Sequence, residues 1–300
     1  MNACVESVCP NPMMPEALDA RVREGRLPIP TRESARAWLG KVWTVVAGPR
    51  EPKAPTVVHV HVESFYAAVE QAENPRLRGR GLLVEGGGVV ASASTETAGR
   101  GVVTGMTIRE ARKACPNAVV VRGDIALYAE YATRVRQILE TYCRDVEMTA
   151  SGSYYLEFSG AALPFRAFEA KLRRIQTEIL GQTGLSVSVG AGMSRLVAAL
   201  AAREHRPCGL RIVARGEERA FLAPLPIERL RGIGRKQVAA LKQGGLATIG
   251  ELQRIPKPVF VATFGAAIGM RLWNLARGRE ASDWVQSGPI AAAAISAAIS

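Results

Sequence analysis

The stretch from Val57 to Glu70, VVHVHVESFYAAVE, sets the tightest limit on what this 300-residue chain can fold into. It reads as a strand that runs straight into a helix. Side chains alternate across a strand, so Val58, Val60 and Val62 share one face while His59, His61 and Glu63 share the other. The valine face predicts burial in a core. The face with two imidazoles and a carboxylate is the one positioned for chemistry or binding.

The rest of the chain supports an α/β body. IALYAEYATRVRQIL (125–139) has apolar residues at i, i+3 and i+4 and predicts an amphipathic helix, as does the segment 165–179. Helices alternating with β-rich strands, followed by a helical region, predict a mixed sheet with a helical lobe after it. With 48% hydrophobic residues the chain can bury a substantial core and form two or three lobes. No apolar run reaches the roughly 18 residues needed to span a bilayer, and the amino terminus lacks a basic-then-apolar signal pattern. The expectation is a cytoplasmic protein with no membrane partner. Cysteines at 4, 9, 115, 143 and 208 show no CxxC spacing and read as free thiols. Residues 1–55 carry eight prolines around a helical-looking 31–48 and are expected to be a partly ordered extension.

Charge narrows the partners. The 39 Lys+Arg against 27 Asp+Glu give +12, which favours phosphate-rich partners and above all nucleic acid. Among the acids, only Asp19, Asp124, Asp145 and Asp283 are aspartates, so the side chain best suited to magnesium is scarce.

The residues His59, Val60, Phe65, Tyr66, Ala67, Val69 and Glu70 resemble the opening palm strand of the Y-family translesion DNA polymerases, the class that contains DNA polymerase IV. The likeness continues collinearly over about residues 56–286. NPRLRGRGLLVEGG (74–87), VVASASTETAGRGVVTGM (89–106) and IREARKACPNAVVVRGD (108–124) are similar to the fingers. VEMTASGSYYLEFSG (146–160) is similar to the second catalytic strand, 184–210 to a palm strand and helix, and 225–252 to the thumb. The resemblance implies a palm over 56–66 and 124–215, fingers over 67–123, and a thumb with a helix-hairpin-helix over 216–286, followed by a tail, 287–300. Family members continue into a little-finger domain, and the resemblance implies that this sequence lacks it.

The same likeness implies a chemistry and where it has been altered. The family uses two Mg²⁺ ions roughly 3.5–4 Å apart. At that spacing the ions repel by about 18 kcal/mol, taking an effective dielectric of about 20, so several carboxylates must hold them. The family's three principal acids align with His61, Gly152 and Ser153, leaving Glu63 as the remaining acid. Nothing in that set predicts a paired magnesium site, so no cofactor is expected, with Mg²⁺ required only if the chain is active. The family's triphosphate-gripping Tyr, Arg and Lys align with Thr95, Ala98 and Ala199. Ser92 keeps a hydroxyl, and Tyr66 matches the side chain that excludes the ribose 2′-OH, or else is a packed residue at the helix start.

In LRGIGRKQVAAL, Gly232 and Gly234 read as a tight interhelical turn whose following N–H groups can hold a phosphate, with Arg231, Arg235, Lys236 and Lys242 adding charge. The combined expectation is a polymerase-like protein of DNA repair and translesion synthesis that binds primer-template or damaged DNA without nucleotidyl transfer. A partner polymerase or repair proteins are its further expected partners. The alternatives are an active low-fidelity polymerase in which Glu63, Glu147 and Glu157 rearrange, a softer-metal site on His59, His61 and Glu63 with His61 and Glu63 as its core, and a protein scaffold that does not touch DNA.

Overall fold

The computed structural model describes residues 54–158, 163–230 and 233–279. The expected extension up to residue 53, the tail after 279, and Arg231 and Gly232 of the expected hairpin lie outside the described residues.

The strand expected at the start is β1 (Val57–Val62), and α1 (Phe65–Glu73) follows after two residues. Ser64 makes the junction in a left-handed conformation, φ 48°. The chain then forms β2 (Leu82–Gly86), β3 (Val89–Ala93), the short α2 (Thr95–Ala98), α3 (Ile108–Ala114) and β4 (Val119–Arg122). Next come α4 (Ile125–Glu140), β5 (Val146–Ala150), β6 (Ser153–Glu157), α5 (Phe165–Thr183), β7 (Val187–Gly192), α6 (Arg195–Glu204) and β8 (Leu210–Ile212). Five helices close the described chain: α7 (Glu218–Leu222), α8 (Arg235–Gln243), α9 (Ile249–Arg254), α10 (Lys257–Phe264) and α11 (Ala266–Leu275).

The strands make two sheets. One runs β5-β6-β1-β7-β8, with β1 antiparallel to both neighbours and β7 parallel to β8; the other runs β3-β2-β4. On the large sheet, Val58, Val60 and Val62 are fully buried with Tyr154, Leu156, Val187, Val189 and Ala191 against the apolar stripes of α4 and α5. Each such valine contributes about 1.5–3 kcal/mol relative to exposure. α4 begins at Asp124, whose carboxylate accepts from the N–H groups of Ala126 and Leu127. α1 is held to α4 by Tyr128 donating to Glu70 and Tyr131 donating to Glu73, each at 2.6 Å.

The opposite face of the same sheet is covered over half its length. α6 lies against β7 so closely that a Cβ on Gly190 would sit 2.2 Å from the Ala198 carbonyl oxygen and from the Ala202 nitrogen, both backbone atoms. Glycine is required at 190 by that approach. The helices after β8 form a separate apolar cluster with part of α6, including Leu200, Leu222, Leu241, Leu252, Phe260 and Leu272.

Candidate functional site

The half of β1's polar face that α6 does not cover opens into a cleft of about 410 Å³. Its floor is the end of β1, with His61, Glu63, Phe65 and Tyr66. Its far wall is β3 and the segment after it, with Ser92, Ala98, Val103 and Thr104, and Ser151 and Arg206 close the sides.

Strand register assembles the floor. His61 lies between Ser153 on β6 and Ser188 on β7. Nδ1 of His61 is 2.9 Å from Oγ of Ser153, within hydrogen-bond distance. Glu63 lies just past the strand end, accepts a 2.8 Å hydrogen bond from Ser188 Oγ, and pairs with Arg206, whose Nε is 3.3 Å from the same Oε1. Among the described residues, Glu63 and Arg206 are the only Asp, Glu, Lys or Arg side chains lining the cleft, and their formal charges cancel.

Gly152 sits in the turn between β5 and β6, and its carbonyl accepts from the Val62 N–H at 2.7 Å. Its φ is +75°, in the left-handed region that side chains disfavour, and a Cβ there would lie 2.9 Å from Cβ of Phe65. The sequence shows only that position 152 lacks a side chain; the fold also resists one being added.

Several expected residues meet here. Tyr66 stacks on Tyr128, with centroids 4.6 Å apart, and its hydroxyl is 2.9 Å from Ser151 Oγ, so it is both a packed residue and a cleft residue. Ser92 lines the cleft wall with little exposure, its Oγ accepting from the Ala67 N–H at 3.4 Å. Ala98 lines the cleft, whereas Thr95 faces an adjoining one of about 350 Å³ that also holds Gln71, Arg78 and Cys208. Ala199 is set apart on α6, 6% exposed in a cluster with Ala198 of the same helix and Val57 and Tyr155 of the sheet.

The alternation-based triad does not assemble. His59 is 3% exposed, its ring 4.6 Å from that of Tyr155, on the half of the face that α6 covers. Among the described residues, no three His, Cys, Asp or Glu side chains are grouped to hold a metal ion. The carboxylates of the rearranged site are also dispersed. Glu147 is ion-paired with Arg195, which stacks over Tyr155, and Glu157 pairs with Val57 at the opposite end of β1, four residues or about 13 Å along the strand from Ser153.

Two magnesium ions do not fit this donor set. An imidazole, a hydroxyl and one carboxylate already bound by a guanidinium offer neither the charge nor the oxygens that hard cations need.

At the other functional segment, α8 begins at Gly234 with no side-chain cap and no acid in its first turn. Arg235 and Lys236 are exposed at this positive end of the helix dipole. Gly234 has φ −70°, a value open to any residue, and a Cβ there would meet the Gln237 side chain at 2.3 Å. Lys242, expected to add charge, is ion-paired with Glu228 and lies in the last turn of α8.

A mixed five-stranded sheet bears a cleft of about 410 Å³ beside a smaller three-stranded sheet, with a helical lobe after them: a two-sheet α/β architecture with one open face. Comparison with known proteins narrows it. The impB/mucB/samB family matches residues 60–203, and the thumb domain of DNA polymerase-iota matches residues 228–280. DNA polymerase IV of Methanoculleus marisnigri is 35% identical over 229 residues, and that of Moorella thermoacetica 37% over 221. These cover 74% and 72% of this chain but 63% and 55% of the relatives' own lengths. Among solved structures, DinB from Sulfolobus solfataricus superposes with a TM-score of 0.67 at 27% identity, and a ternary complex of Dbh with 0.68 at 26%; each covers 75% of this chain and 68% of the other. The chain is similar to these DNA polymerase IV proteins and has the fold of the solved DinB and Dbh polymerases, with an impB/mucB/samB-like segment followed by a segment like the polymerase-iota thumb.

Sequence reasoning missed Arg206, Thr104 and Ser151 on the cleft lining, and Ser188, which is buried behind it and donates to Glu63. Arg206 lies in the REHRPCG segment between α6 and β8, and its reach to Glu63 depends on α6 packing flush on β7.

Proposed function

We propose that this chain is a polymerase-fold DNA-binding protein of DNA-damage tolerance that does not transfer nucleotides. In this reading 56–66 and 124–215 are the palm, 67–123 the fingers and 216–286 the thumb. His61, Gly152 and Ser153 occupy the positions of the family's metal-binding acids. One observation carries the reading: Glu63, the one carboxylate lining the cleft among the described residues, is ion-paired with Arg206. Thr95, Ala98 and Ala199 likewise stand where the family grips the triphosphate, and none of them supplies a cation.

DNA binding is supported by the +12 charge and by α8, whose uncapped start and adjacent Arg235 and Lys236 suit a backbone phosphate. Such binding positions a duplex without reading its bases.

Primer extension with Mg²⁺ and with Mn²⁺, paired with primer-template binding across a salt series, tests both halves. The expected result is no strand growth together with affinity that falls steeply as salt rises. Template-directed extension that persists in protein purified to homogeneity overturns the loss of catalysis. Affinity that is flat in salt overturns the DNA partner and returns the chain to the scaffold reading.

A further inference from the structure

The cleft lacks the means to gather paired metal ions, yet a cation is present in it. Glu63 receives a guanidinium at 3.3 Å and a serine hydroxyl at 2.8 Å, the kind of neutralisation that a bound divalent ion would otherwise supply to a carboxylate. Arg206 also lines the cleft, together with the hydroxyl-bearing Tyr66, Ser92, Thr104 and Ser151. We infer that Arg206 takes the place of a divalent cation beside Glu63, and that the cleft binds a phosphate group without metal.

The charge balance gives the reason. A cleft with three carboxylates repels a phosphate until metal ions reverse its sign. Here one carboxylate faces one guanidinium, the lining is formally neutral, and no metal is needed before an anion enters. A guanidinium offers several N–H donors in a planar fork that matches phosphate oxygens and keeps its charge at any physiological pH. The phosphate can belong to a free deoxynucleotide or to a DNA terminus. The chemistry at Arg206 is the same for both.

This inference rests on the proposed loss of metal binding, and it is tested by a sign rather than by activity. The full-length chain is titrated with fluorescently labelled dATP and, separately, with primer-template DNA carrying or lacking a terminal phosphate, each in EDTA and in Mg²⁺. For at least one phosphate-bearing probe, affinity should be the same within about threefold with and without Mg²⁺. Arg206→Gln should weaken it roughly tenfold, the loss expected for a charge-assisted contact.

Glu63→Gln discriminates most sharply, because removing the carboxylate's negative charge removes its repulsion of the phosphate and should tighten binding. At a metal site the same substitution removes a ligand and weakens binding. Binding that requires Mg²⁺, weakening by Glu63→Gln, indifference to Arg206→Gln in protein that melts like the parent, or no binding of either phosphate-bearing probe at millimolar concentration each overturns the inference. Labelled dATP identifies a nucleotide pocket, and a response confined to terminally phosphorylated DNA identifies a strand-end pocket. The proposed function fails separately, by strand growth or by a flat salt response.

Discussion

The cleft at the end of β1 and the start of α8 hold charge in different ways. In the cleft, Glu63 and Arg206 cancel one another across 3.3 Å and Ser188 occupies the same carboxylate oxygen. At α8, Arg235 and Lys236 stand exposed at the positive end of a helix, with no acid in its first turn. Two-metal chemistry depends on several carboxylates placed to a fraction of an ångström, so a few substitutions abolish it. Backbone binding depends on a positive field and tolerates drift. Under the proposed function, the contrast accounts for a fold that sheds a reaction and keeps a surface for DNA.

The largest expected effect tests the α8 side. Arg235→Glu combined with Lys236→Glu should weaken primer-template binding by roughly 10–100-fold at moderate salt and lower the salt slope by about two. Fluorescence anisotropy across a salt series measures both, and an unchanged slope removes α8 from the interface. The next tests the cleft. Gly152→Asp should destabilise the protein by at least about 1–2 kcal/mol, because its φ of +75° is unfavourable for an L residue and Phe65 occupies the space for the new Cβ. Combined with His61→Asp and Ser153→Glu, it should still yield no primer extension. Chemical denaturation and a gel assay check the two parts.

The smallest effect belongs to the packing of α1 against α4, on the cleft side of the comparison. Burial, with the hydrogen bond to Glu73, pushes the Tyr131 hydroxyl up to about 12 from an ordinary value near 10. The folded state therefore favours the neutral phenol. Its contribution is full below pH 10 and is lost as pH rises from 10 through about 12. Unfolding free energies measured across that window should fall with pH, and Tyr131→Phe should flatten the fall.

Local periodicity was enough for much of the scaffold. The helix expected over 125–139 is found at Ile125–Glu140, started by Asp124. The one expected over 165–179 continues to Thr183, where Gly184 stops it in a left-handed conformation. Alternation identified the valine face of β1 correctly, but it does not say what lies on the other face. His59 and His61 look equivalent in sequence, and they differ because Gly190 and Gly192 let α6 settle over one and not the other. The pairing of Arg206 with Glu63 was illegible for the same reason: it joins residues more than 140 positions apart through the packing of α6 on β7. At 234, glycine reads as part of a tight turn; its φ is open to any residue, and a Cβ there would meet the Gln237 side chain.

The left-handed turn at Gly152 gives the molecule a direction in evolutionary time. Under the proposed function, a lineage returning to strand synthesis would need an acid there, and the first substitution would bring strain before it brought a metal ligand, since His61, Ser153 and the Arg206 contact would all still be in place. Selection would meet the penalty several steps ahead of any benefit. The turn thus acts as a ratchet, holding the protein to whatever role its surfaces serve.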